Sequence, residues 1–170
     1  MTKGERISRF VEELEGAAPA TASAEIANHP CYRGFFRCWN EQRYYEAHDV
    51  LEHLWLSTTS EDANYFKGLI QAAGGFVHLQ KHSEFPTHPK HSRRLSPAVR
   101  LFALAEKNLA PFGPIRHGFE VEGLLTLIRR TAEAIVSSEY SKNPWSPETA
   151  PRLLLLELTS RADGREDLHP

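Results

Sequence analysis

Between Leu69 and Leu79 every residue except Gln71 and His78 is apolar or glycine. A stretch that is oily around its whole helical axis is stable only inside a protein, with other helices packed on several sides. The rest of the chain supplies those partners at helical spacing. Ile7, Phe10, Val11 and Leu14 follow the i, i+3, i+4, i+7 pattern. Gly16 and Pro19 end that helix, and a small-residue linker, Ala17 to Ala24, follows it. An aromatic-rich helix is predicted from Tyr32 to about Gln42, carrying Phe35, Phe36 and Trp39, and a second from Tyr44 to Leu56. Thr59 and Asp62 stand at capping-box spacing and would open a third helix, from about Glu61 to Lys81. Pro86, Pro89 and scattered histidines make residues 82–95 a loop. Ser96-Pro97 reads as an N-cap with proline at the first helical position. That helix should run to about Leu109, and another from Phe119 to Ser138. A short helix, Pro151 to Thr159, precedes a polar tail.

No strong strand alternation, repeat or glycine-rich phosphate loop is present. The predicted class is all-α, a compact single-domain antiparallel helical bundle. Residues 25–140 would form the domain proper, with 1–24 as a helix and linker and 141–170 as a terminal helix and tail.

Composition excludes several functions. The chain is 25% charged with a formal net charge of -2, so nucleic acid is not an expected partner. The pairs Arg93-Arg94 and Arg129-Arg130 read as solvated surface. No window reaches the roughly 18 apolar residues of a membrane span, and Met1 to Leu14 lacks the apolar centre of a signal peptide. The expected compartment is the cytoplasm. Cys31 and Cys38 sit seven residues apart, about 10 Å along a shared helix, too far for a bridge, and read as free thiols.

Chemistry concentrates in the second helix. There Ala47, Val50, Leu51 and Leu54 form the apolar stripe, with His48 and Glu52 on one edge, about 40° apart around the axis and about 6 Å along it. Trp55 falls on the same side. Asp49 and His53 make a second acid–histidine pair on the opposite, wetter edge. In the third helix Gln71 and His78 share one face with Gly74 between them, and buried amides and imidazoles need polar partners. If the second and third helices pair antiparallel, Gln71 lies level with Glu46 and within one turn of His48. Glu52 is then level with Tyr65, and His78 falls nearer Trp39. The spacing therefore predicts that Gln71 partners the His48 site, with Glu46 and His78 as further candidates.

The run His48-x-x-x-Glu52-x-x-Trp55, preceded by Glu46-Ala47 and followed by Gly68-Leu69-Ile70-Gln71, resembles the HxxxExxW family, domain of unknown function 309. The resemblance extends over roughly Tyr32 to Ile135. It implies a compact helical fold found in bacteria and archaea, and a metal held by His48 and Glu52. No activity comes with it, and the His/Pro-rich loop after Leu79 departs from the short basic connection the family leads one to expect.

Three readings stay open. A His and a Glu one turn apart can share a divalent ion of unknown identity, completed by Glu46, Gln71 or His78. The same residues can instead form a metal-free network, the structural polar core of an interaction module, in which Glu52 orients His48, Gln71 completes it and Trp55 covers it. The third is a metal-dependent hydrolase, with an open coordination position at the ion. No serine or cysteine stands where a nucleophile is expected. The loop histidines His82, His88 and His91 read as surface residues, and the aromatic group around Tyr32 and Trp39 as core with some share in a homo-oligomer contact.

Overall fold

A computed structural model describes residues 26–156 together with Glu5, Arg6 and Arg9. Apart from those three residues the predicted first helix lies outside the described residues, as do all of its linker and the polar tail. Five long helices make up the body: α1 (Pro30–Asn40), α2 (Tyr44–Leu56), α3 (Asp62–Glu84), α4 (Leu95–Leu109) and α5 (Val121–Ser137). The chain is mostly helical, as the periodicity predicts, with one small hairpin between α4 and α5.

Helix α1 begins where Pro30 supplies a preset φ and His29 Nδ1 accepts the Cys31 N–H at 3.1 Å. It buries Tyr32, Phe35, Phe36 and Trp39, together with both cysteines. Burial pushes the Cys38 thiol up to about 11, so it is a packed, unreactive group. Gln42, at φ 59°, turns the chain into α2. Helix α3 is the central element, packed against α2 on one side and α4 on another. Its glycines set that approach: a Cβ on Gly68 would stand 2.6 Å from Leu109 Cγ, and one on Gly75 would run into the Phe102 ring.

The expected capping box at Thr59 and Asp62 does not form. The N-cap residue is Glu61, and the Asp62 N–H reaches Ser60 Oγ at 3.3 Å instead. Helix α4 starts two residues early, at Leu95, and Ser96 Oγ accepts from Arg100 rather than capping it.

The predicted all-helical run also misses a two-residue hairpin, β1 (Ile115–Arg116) antiparallel to β2 (Phe119–Glu120). Its turn places His117 at φ 46° and Gly118 at φ 73°, both in the left-handed region that tight hairpins require.

A larger correction concerns the expected helix from Pro151. Residues 151–156 are extended and irregular, while residues 157–159 lie outside the described part. This strap is held by side chains of α1 and by backbone pairing with the hairpin, where the Leu156 N–H donates to Gly118 O at 2.6 Å. Trp39 Nε1 donates to Pro151 O at 2.9 Å, and Asn40 exchanges two bonds of 2.7 Å with the Leu153 backbone. Leu155 then bridges Phe119. Upstream, Trp145 is buried and its Nε1 donates to the Tyr44 hydroxyl at 3.0 Å. Proline at 144, 147 and 151 removes backbone donors, and α1 and α2 provide the replacement partners.

Candidate metal centre on helix α2

Helix α2 buries Ala47, Val50 and Leu51, which leaves His48, Glu52 and Trp55 half-buried along the edge of that stripe. Trp55 packs against the core, as expected of a covering residue. His48 Nδ1 donates to Asp49 Oδ1 at 2.9 Å; a carboxylate only accepts, so the proton sits on Nδ1. The ring also lies over Tyr45, with centroids 6.2 Å apart and planes at 30°.

The sequence reading put Asp49 on the outer edge with His53. His53 is exposed. Asp49, by contrast, has a side chain only 15% exposed, less than the 34% of His48. One potential ligand atom from each of His48, Asp49 and Glu52 falls within a 4.8 Å group. Asp49 is thus the member that the wheel missed. The signal was its place one residue after His48 and three before Glu52, within reach of both for a short side chain that folds back along the helix.

The other predicted members lie elsewhere. Gln71 does not join His48 or Glu52: its Oε1 accepts from Asn108 Nδ2 on α4 at 2.7 Å. His78 accepts from Arg94 at 3.0 Å. The reason is packing. The face carrying Gln71, Gly74 and His78 is turned to α4, where a Cβ on Gly74 would lie 3.2 Å from Leu101 Cδ1. The demand for polar partners was sound, but α4 meets it, not α2. Glu46, half-buried, acts electrostatically on Arg43 and Cys38 of the neighbouring turn.

A second polar cluster escaped the sequence reading altogether. Asp62 is 7% exposed, and its Oδ1 accepts from Arg116 Nε at 3.0 Å and from His117 Nε2 at 2.7 Å. Beside it the buried Tyr32 and Tyr65 hydroxyls share a 2.8 Å hydrogen bond. Burial drives both phenols far above their ordinary range, so they are neutral hydrogen-bonding groups. Their rings pack within 6.2 Å of His117. The cluster ties the hairpin to the start of α3. Its sequence signal was the His117-Gly118 pair, a tight-turn signature that aims two hydrogen-bond donors, Arg116 and His117, back at the bundle.

The fold and the α2 group together define a mostly helical domain with a His/Asp/Glu arrangement that could hold a metal ion. The family model described as domain of unknown function (DUF309) matches residues 32–84. The match takes in α1 from Tyr32, all of α2 with the candidate site, and α3, stopping before α4. No curated protein and no solved structure matches the chain.

Proposed function

We propose that this protein is a binding domain whose His48, Asp49 and Glu52 hold one divalent cation. The observation that carries the reading is the approach of one candidate ligand atom from each residue to within 4.8 Å of the others. The protonated Nδ1 of His48 leaves Nε2 with its lone pair free, and this neutral form is the one that metals take. An imidazole with two carboxylates favours zinc or a first-row transition ion over magnesium, which prefers oxygen alone. Asp49 acts either as a ligand or as the carboxylate that orients the ring and raises its basicity. All three side chains come from one helix. The remaining coordination positions would therefore face outward, open to water or to a further ligand.

The test is isothermal titration of tag-free protein with Zn²⁺ and Mn²⁺, with elemental analysis of the purified chain. One equivalent is expected, and His48→Ala should weaken binding by about a hundredfold while leaving the helical signal intact. Replacing His88 and His91 together by Gln controls for capture by the exposed loop and should leave the affinity unchanged. Equal binding by His48→Ala and the parent chain would refute the site.

A further inference from the structure

The outward face of α2 has a pattern that the cation site alone does not use. Among the described residues this helix packs against α1 and α3. Opposite its buried stripe of Ala47, Val50 and Leu51, the residues Tyr45, Asp49, Glu52 and Leu56 succeed one another at spacings of four, three and four, those of a coiled-coil seam. At about 100° per residue they keep within about 60° of one another around the axis. Tyr45 is 41% exposed and Leu56 73%. One exposed apolar residue means little, but these two bracket a centre made of carboxylates. His48 lies about 40° from Glu52 on one flank of the stripe, and His53 about 40° from Asp49 on the other.

The pattern reads the same in both directions. A two-fold axis between Val50 and Leu51, relating the helix to an antiparallel copy, sets Tyr45 level with the partner's Leu56, His48 with the partner's His53 and Asp49 with the partner's Glu52. Such an axis keeps every residue on its own side of the seam. His48 therefore shares its flank with the partner's Glu52, about 1.5 Å from level, and Asp49 shares the other with the partner's His53.

Charge decides when such a pair forms. Among the described residues no lysine or arginine forms an ion pair with Asp49 or Glu52, and bringing these acids of two copies together without a cation is repulsive. A single helix face is also smaller than the contact that holds a dimer unaided. The cation site has the complementary need: its ligands come from His48, Asp49 and Glu52 of one helix, and a closed zinc site takes one more.

We infer that two copies of this chain pair antiparallel through α2, and that the partner's Glu52 completes each cation site. The inference rests on the cation reading of His48, Asp49 and Glu52 and adds the partner of that site. The ion is the condition for pairing, and Tyr45 and Leu56 close the contact at either end against water.

The experiment is sedimentation velocity of the tag-free protein with one equivalent of Zn²⁺ and again in EDTA, with zinc affinity measured on the same samples. The mass should double with zinc and return to that of the monomer on chelation. Leu56→Glu, at an exposed position that ends the helix, should keep the loaded chain monomeric and weaken zinc about tenfold, since each ion loses one ligand and keeps its own chain's three. If that variant loses its helical signal, Leu56→Ser replaces it and should weaken dimerisation several-fold. The double variant His88→Gln, His91→Gln and the variant Leu104→Glu, at an exposed position on α4, should still dimerise. Zinc bound by a chain that stays monomeric would overturn the pairing and leave the single-chain site standing. A dimer that persists in EDTA, or that Leu56→Glu does not weaken, would put the contact elsewhere and overturn it as well. A chain that binds no zinc removes both readings.

Discussion

Asp62 carries two cationic or donor side chains on a single carboxylate oxygen, at 3.0 Å from Arg116 Nε and 2.7 Å from His117 Nε2. With 7% exposure, water cannot replace either partner easily. Removing the carboxylate leaves the His117 ring without its acceptor beside two buried tyrosine hydroxyls, and leaves Arg116 only the more exposed Glu61. We expect Asp62→Ala to cost about 2 kcal/mol of unfolding free energy in urea denaturation, and Asp62→Asn clearly less, since an amide oxygen can still accept. At this scale the sequence was partly legible. The stripe of Ala47, Val50 and Leu51, and with it the edge bearing His48 and Glu52, follows from helical geometry alone. The partners do not. Whether Gln71 meets Asn108 or His48 depends on which neighbour covers its face, and a single helix does not encode that. Asp62 was read as a local cap because capping is a short-range rule, whereas its real partners are more than fifty residues away.

Among the elements, α3 is the one on which the others are placed. Its glycines exist for contact: the Phe102 ring occupies the space a side chain at Gly75 would need, and Leu109 lies against Gly68. Gly75→Ala gains a little helix propensity, at most about 1 kcal/mol. It must also push α4 away from α3, which costs about 1–3 kcal/mol in a close-packed interior. The net expectation is a lower melting temperature by calorimetry, with α-helical content preserved; an unchanged or raised temperature would contradict this packing. Helix extents were largely legible, and α2 begins and ends where its periodicity predicts. The hairpin was not, because two-residue strands are too short to show alternation. The strap at residues 151–156 was misread as helix because its leucine run suits either state, and only partners on α1 decide between them.

The whole molecule also stores a response to pH. His78, His82 and His91 are all held below the ordinary imidazole value of 6.5, chiefly by desolvation, and for His78 also by Arg94 and Arg100. In the window between each lowered value and 6.5 the unfolded chain binds more protons than the folded one, so stability rises with pH there. The stabilisation is complete above that unfolded value and is lost as pH falls through the folded one. Urea midpoints should therefore drop between pH 7.5 and pH 5.5, and His78→Gln should flatten that slope. An unchanged slope would mean that His78 does not contribute.

The strap has a temporal consequence. The indole of Trp39 waits for the carbonyl of Pro151, 112 positions later in the chain, and Asn40 waits for Leu153. During synthesis, helices α1 to α3 emerge before these partners exist, so the nascent segment carries donors that are met only once residues 151–153 have been made, a contact of high sequence separation.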